Sequence, residues 1–130
     1  MAHYIDAQHE ELRAWATEYR GEVTVIDICA PVADVARAIS ECEYVLSTSL
    51  HGLIFADALG VPNEWVVLSD QIAGGSFKFR DYLALFGILD PMARTFNRTT
   101  TPTDVVSATP RYKRPGIEAI KDGLRESFPR

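Results

Sequence analysis

Tyr44-Val-Leu-Ser-Thr-Ser-Leu-His-Gly-Leu-Ile-Phe-Ala-Asp-Ala-Leu-Gly-Val-Pro62 is the stretch that decides the fold of this chain. It begins with a β-rich run over residues 44–46 and continues through three consecutive hydroxyl side chains. An almost wholly apolar segment, residues 53–59, then ends at a glycine with a proline just beyond it. This order predicts a strand, a tight polar turn and a buried helix.

The segments around this stretch alternate between strand and helix patterns. Residues 23–28 are β-branched and nearly continuously apolar, as in a strand covered on both faces. A helical pattern follows Pro31, and residues 65–68 predict a further strand. We therefore predict an α/β fold, a Rossmann-like parallel sheet with right-handed crossovers and helices on both faces.

Apolar residues at helical spacing predict the other helices. They cover residues 7–19, with Asp6 as cap, residues 77–86, ending at Gly87, residues 103–107, and a packed terminal helix over residues 116–128. Residues 3–6 have the pattern of the end of a strand that runs into the first helix. The 130 residues are the size of one domain, in which residues 90–130 form the less regular tail.

The composition excludes several classes of partner. The formal net charge of −5 argues against a nucleic-acid or anionic-membrane surface, because both need a concentrated positive field. No apolar run approaches the roughly 20 residues of a membrane span, and the amino terminus lacks a signal-peptide pattern. Cys29 and Cys42 are too few and too isolated for a metal site or a disulfide framework. We predict a cytoplasmic chain with reduced thiols and no metal.

His51 is the candidate acid or base. In parallel α/β sheets ligands bind at the carboxyl ends of strands, and a helix amino terminus there offers N–H groups to an anion. A histidine in the first turn of that helix could exchange a proton near neutral pH, although a structural role is the alternative. Ser47, Thr48 and Ser49 could cap the helix or contact a ligand. No Gly-x-Ser-x-Gly elbow surrounds them, which argues against a serine hydrolase.

A second candidate segment is Gly74-Gly-Ser-Phe-Lys-Phe-Arg-Asp-Tyr82. Its glycines allow close backbone approach to a ligand, and Lys78 and Arg80 are either solvated helix charges or cations for a bound anion. If the two strands before the candidate turns are neighbours, Lys78 could face the same pocket as His51. Asp57, alone in an apolar helix, needs a partner if it is buried.

Four segments together resemble the carboxyl-terminal half of polysaccharide pyruvyl transferases, and in particular the succinoglycan-type ketal pyruvate transferases. They are His3-Tyr-Ile-Asp6, Ile39-Ser-Glu-Cys-Glu-Tyr-Val45, the block from Ser47 to Pro62, and the segment from Gly74 to Tyr82. The resemblance covers roughly residues 1–87. It implies a fold like one lobe of a two-lobed GT-B glycosyltransferase.

The resemblance also implies an activity. The family transfers pyruvate from phosphoenolpyruvate onto two hydroxyls of a saccharide acceptor, which forms a cyclic ketal in an exopolysaccharide and releases phosphate. His51 is then the residue of donor binding and acid catalysis, and the donor is a substrate, so no cofactor is implied. The substrate-binding candidates are Ser47, Thr48, Ser49, Gly52, Lys78 and Arg80. Some members carry an Arg where this chain has Ser49, so that anion contact is either absent here or supplied by Lys78 or Arg80.

The resemblance implies a further lobe or partner subunit as well, because family enzymes bind their substrates between two lobes. We therefore expect this single lobe to be inactive alone. Two alternatives remain open. One is a GT-B lobe that binds a nucleotide-sugar at the same turn, and the other is a non-catalytic interaction domain with the same fold.

Overall fold

The structure is a computed structural model that describes residues 9–68, 75–96 and 99–128. Six α-helices, a short 3₁₀ helix at Thr109–Arg111 and three strands lie in these ranges. In chain order the α-helices and strands are α1 (Glu10–Glu18), α2 (Val32–Ser40), β1 (Val45–Ser47), α3 (Leu50–Leu59), β2 (Asn63–Val67), α4 (Phe77–Ala84), β3 (Arg94–Thr95), α5 (Pro102–Val106) and α6 (Ile117–Ser127).

The three strands form one parallel sheet in the order β1-β2-β3. Ser47 of β1 lies opposite Trp65 of β2, and Val67 of β2 lies opposite Thr95 of β3. The predicted α/β class and the parallel sheet are confirmed. The strand β3 was not predicted, because two residues within a Thr- and Pro-rich stretch carry no periodic signal.

Side chains alternate between the two faces of this sheet, as they do in any strand. On the first face, Trp65 stacks on Phe79 of α4 with ring centroids 4.4 Å apart, and Asn63 bonds to α3. On the second face, Phe96 follows β3 and meets Trp15 of α1 edge-on at 5.1 Å. Helices therefore lie on both faces: α3 and α4 on the first, α1 and α5 on the second.

A small apolar core fills the space between α2, α3 and β1. It consists of Ile26, Val35, Ile39, Val45, Ala56 and Val61. The α3 helix reaches this core through Ala56 and ends at Gly60, whose φ of 73° places it in the left-handed region that a glycine adopts without strain. The helix predicted from the apolar run, with its glycine stop, is confirmed.

The predicted strand over residues 23–28 is wrong. In the described part of the chain this segment makes an isolated bridge between Arg20 and Val23 and no strand pairing with the sheet. It enters from a turn in which Val23 N donates to Tyr19 O, and it ends in a turn where the Asp27 carboxylate accepts from Cys29 N at 2.8 Å. Ile26 is buried in the core, whereas Thr24 and Val25 are exposed, so the segment is not a strand covered on both faces.

The remaining helix predictions are confirmed with shifted ends. The α1 helix begins at Glu10 with His9 as its cap, and the predicted start at residues 6–7 lies outside the described residues. Thr101 caps α5 through a reciprocal bond with Asp104. The terminal helix α6 forms, but none of its described residues is buried and Leu124 is 57% exposed. Ile117 and Ile120 are half-buried, so the packing expected for this helix is only partial.

Candidate functional site

The turn after β1 is held by its own hydroxyls. Ser47 Oγ accepts a hydrogen bond from Ser49 N at 3.1 Å and donates to Ser49 O at 2.8 Å. Ser47, Thr48 and Ser49 are all almost fully buried. Ser49 is the N-cap residue of α3, yet its side chain caps none of the described backbone N–H groups. In this structure Ser47 shapes the turn, and the predicted contacts of the three hydroxyls with a ligand remain predictions.

His51 lies in the first turn of α3 with an exposed side chain, as predicted. The backbone of Gly52 behind it is buried, and Gly52 N donates to Ser49 O at 3.1 Å. His51 also borders a hollow of about 180 Å³ between α2 and α3, lined otherwise by Ile28, Ala30, Val32, Val35 and Phe55. An imidazole in this position can reach a solvent-borne substrate, so the structure leaves acid–base chemistry open to it.

The two candidate cations stand on α4. Lys78 is half-buried, with Nζ 5.5 Å from the centroid of the Phe79 ring. Arg80 is exposed, and its guanidinium lies 3.5 Å from the carboxylate of Asp90. Because β1 and β2 are adjacent and parallel, the helices that follow them begin at the same edge of the sheet. The adjacency on which a shared pocket depends is thus confirmed, and the pocket itself remains a prediction.

A buried polar network lies farther along α3, centred on Asp57. The Asp57 side chain is 1% exposed, and its carboxylate accepts four hydrogen bonds. The donors are Asn63 Nδ2 at 2.5 Å, the Tyr82 hydroxyl at 2.7 Å, the Tyr112 hydroxyl at 2.7 Å and Arg114 Nε at 2.9 Å. The partner that a buried Asp57 requires is therefore present, and it is the Arg114 guanidinium.

Arg114 is buried within this network. Its side chain is 8% exposed, and its Nη2 donates to Asn63 Oδ1 at 3.1 Å. The guanidinium carbon lies 4.8 Å from the centroid of the Tyr112 ring and 5.5 Å from that of Phe86. A planar cation between aromatic rings and a carboxylate is an arrangement that arginine satisfies and lysine does not.

The network changes the acidity of its tyrosines. Burial, together with the hydrogen bond to the Asp57 carboxylate, raises the pKa of the Tyr82 and Tyr112 phenols well above their ordinary value. On the second face, burial and the nearby Glu64 carboxylate raise the pKa of Tyr44 to about 12. These phenols therefore remain protonated donors at neutral pH.

Sequence reasoning missed Asn63, Tyr82, Tyr112 and Arg114 as members of one cluster. The signal within the sequence was Asp57, whose place in an apolar helix required a partner. Arg114 lies 57 positions later in a tail without a periodic pattern, so spacing could not identify it.

Within the described ranges, no group of three or more His, Cys, Asp or Glu side chains is arranged to hold a metal ion. No helix among the described residues is long and apolar enough to cross a membrane. A cavity of about 390 Å³ lies on the second face, between β1, α1, α5 and the extended segment that precedes α2.

Known proteins resemble the part of the chain that carries the candidate turn. The sequence profile of the family described as polysaccharide pyruvyl transferase matches residues 1–69. The uncharacterized protein L143 of Acanthamoeba polyphaga mimivirus is 38% identical over 91 residues, which are 68% of this chain and 31% of that protein. The succinoglycan biosynthesis protein ExoV of Rhizobium meliloti (strain 1021) is 36% identical over 63 residues, 48% of this chain and 19% of that protein.

The chain thus covers less than a third of the length of either relative. No solved structure matches it. The region of likeness to the family profile contains β1, the hydroxyl turn and α3, whereas Arg114 and Tyr112 lie beyond it.

Proposed function

The chain belongs to the polysaccharide pyruvyl transferase family, and from this premise we propose that it carries the donor half of a ketal pyruvyl transferase site. The observation that supports this most is the position of His51. It is exposed in the first turn of α3, at the carboxyl edge of a parallel sheet, within the residues that match the family. The proposed donor is phosphoenolpyruvate and the proposed acceptor is a saccharide of an exopolysaccharide.

The proposed reaction requires a general acid close to the methylene carbon of phosphoenolpyruvate. In the proposed reaction His51 donates a proton to the methylene carbon of phosphoenolpyruvate, and a positive charge develops at C2. One sugar hydroxyl adds to C2, phosphate leaves with the electrons of the C2–O bond, and a second hydroxyl closes the ketal. Of the two hydroxyl protons released, one restores the acid and the other leaves with phosphate.

The donor is an anion, and the chain as a whole carries a net charge of −5. Binding must therefore be local. The amino terminus of α3 contributes the positive end of its dipole and the N–H groups of its first turn. We propose that Lys78 and Arg80, on the helix that begins at the same sheet edge, supply the cations, and that Ser47, Thr48, Ser49 and Gly52 shape the turn against the donor.

We propose that this donor site is one part of a larger active site. We propose that the described parallel sheet and its helices form a Rossmann-like lobe of the GT-B kind, with the saccharide held by a second lobe or subunit. The chain spans 31% and 19% of the two relatives named above. On this proposal the chain binds the donor alone and completes the transfer only with its partner.

Calorimetry with the purified chain tests the donor assignment. We expect phosphoenolpyruvate to bind, and His51→Ala to weaken binding by about 10-fold or more, the effect of losing one hydrogen bond to a charged group. The matched control is His9→Ala, at the start of α1, which should leave the affinity unchanged.

The same titrations distinguish the alternatives. Binding of a UDP-sugar in preference to phosphoenolpyruvate would indicate a glycosyltransferase lobe instead. If neither binds, the chain does not hold the donor, and an interaction domain becomes the better description.

A further inference from the structure

The Asp57 network joins three parts of the chain that are far apart in sequence. Asp57 belongs to α3, Tyr82 to α4, and Tyr112 and Arg114 to the tail between α5 and α6. The tail contributes two of the four donors to the carboxylate, including the cation. The tail residues lie outside the stretch that matches the family, yet they complete the environment of a residue inside it.

The network lies at a similar distance along the helix axis from His51 in α3 and from Lys78 in α4. Asp57 follows His51 by six residues, or about 9 Å along α3, and Tyr82 follows Lys78 by four residues, or about 6 Å along α4. The hydrogen bond between the Tyr82 hydroxyl and Asp57 Oδ2 therefore links the two helices one to two turns from the candidate site.

Such a network fixes the relative arrangement of the elements it joins more than it adds to the free energy of unfolding. A buried ion pair gains little over apolar side chains of the same volume, because both charges lose their hydration. Its hydrogen bonds, however, fix geometry: Arg114 spans Asp57 and Asn63 with two nitrogens of one rigid guanidinium. Because Asp57 belongs to α3 and Asn63 to β2, a shift of α3 relative to β2 would break at least one of these two bonds.

We propose that Tyr112 and Arg114 are positioning residues for the donor site. Through Asp57 they hold α3 and α4 in the arrangement in which His51 and Lys78 contact the same anion. This inference rests on the proposed function. It assigns the tail a role in donor binding although no tail residue needs to touch the donor.

Two conservative variants test it. Tyr112→Phe removes one hydrogen-bond donor to Asp57 and keeps the aromatic ring. Arg114→Lys keeps the positive charge but loses the planar guanidinium that donates to Asp57 and Asn63. The control is Val105→Ala, which loses buried volume in α5 on the second face and leaves the network intact. The three proteins are compared at a temperature where denaturation curves show each to be fully folded.

We expect the two network variants to weaken phosphoenolpyruvate binding by roughly 5-fold or more, and Val105→Ala by less than about 2-fold at a similar loss of unfolding midpoint. In the absence of donor, the NMR chemical shifts of the Gly52 and Lys78 backbone amides should change in both network variants and remain unchanged in Val105→Ala.

Equal weakening in Val105→Ala at matched stability would overturn the inference, because the effect would then be one of stability alone. Unmoved Gly52 and Lys78 signals in the network variants would overturn it too. If the unmodified chain does not bind phosphoenolpyruvate, the proposed function fails. The amide signals then still decide whether the tail positions the two helix starts.

Discussion

The two faces of the sheet are held by different physical means. On the first face, α3 and α4 are tied to β2 and the tail by the buried Asp57–Arg114 pair and its surrounding hydrogen bonds. On the second face, Trp15 packs against Phe96 and donates from Nε1 to Thr100 O, and the half-buried Arg94–Glu64 ion pair joins β3 to β2 at 2.8 Å. The cavity of about 390 Å³ lies on this second face.

This difference matches the positions of the candidate site residues. Hydrogen bonds and ion pairs are directional, so they specify one arrangement of the helices that carry His51 and Lys78. Apolar burial is non-directional and tolerates adjustment, at the cost of some packing where space is left open. The first face therefore combines apolar packing with a fully buried polar network, whereas the ion pair of the second face, Arg94–Glu64, is only half-buried.

The most severe way to break the first face is Asp57→Ala. This change leaves the Arg114 guanidinium buried without its carboxylate and removes the acceptor of two tyrosine hydroxyls. We expect a loss of about 3–5 kcal/mol in the free energy of unfolding, measured by urea denaturation. For a domain of this size that is a large part of the total stability.

The control is Asp34→Ala, which removes an exposed carboxylate 3.7 Å from Arg37 on α2. An exposed pair of this kind contributes little, so we expect a change below about 0.5 kcal/mol. If Asp57→Ala were no more damaging than Asp34→Ala, the network would not be what holds the first face.

The corresponding change on the second face is Phe96→Ala. It removes the ring that meets Trp15, and we expect a loss of about 3 kcal/mol, at the low end for such a truncation because the site already borders a cavity. Donor affinity of the folded fraction should not change. Val106→Ala, at a position 40% exposed, is the control and should cost less than about 1 kcal/mol. A loss of donor affinity in Phe96→Ala would contradict the division of roles between the faces.

The sequence predicted the first face well up to α4. The apolar run with its glycine stop indicated α3, and the β-rich run before the hydroxyls indicated β1, because in both segments local pattern and tertiary burial agree. Residues 23–28 show where pattern fails. Ile26 is buried and Val25 is 39% exposed, and the β-branched pattern does not show whether the backbone pairs with a neighbouring strand.

The candidate site divides in the same way. The place of His51 in the first turn of α3 followed from the strand, turn and helix pattern. The partners of Asp57 could not be predicted, because Tyr112 and Arg114 follow it by 55 and 57 positions in a tail without a periodic pattern. A buried charge signals that a partner exists, and the fold alone decides which residue it is.

The smallest expected effect concerns alkaline pH. The folded phenols of Tyr82 and Tyr112 have a pKa raised by burial and the Asp57 carboxylate, whereas in the unfolded chain they lose their protons near pH 10. Above pH 10 the unfolded state thus binds fewer protons, so stability is full below pH 10 and falls as the pH rises further. Since these side chains are only half-buried, we expect less than about 1 kcal/mol per pH unit.

Urea denaturation between pH 8 and pH 11.5 measures this slope. Tyr82→Phe and Tyr112→Phe should each flatten it, and Tyr44→Phe on the second face, where burial raises the pKa to about 12, provides the comparison. Lysine deprotonation in the same range is common to all variants and cancels in the differences. We expect the two first-face variants together to flatten the slope more than Tyr44→Phe, because two phenols share one buried carboxylate there. An equal effect of Tyr44→Phe would mean that the Asp57 carboxylate does not set the first-face phenols apart from Tyr44, which lies beside Glu64.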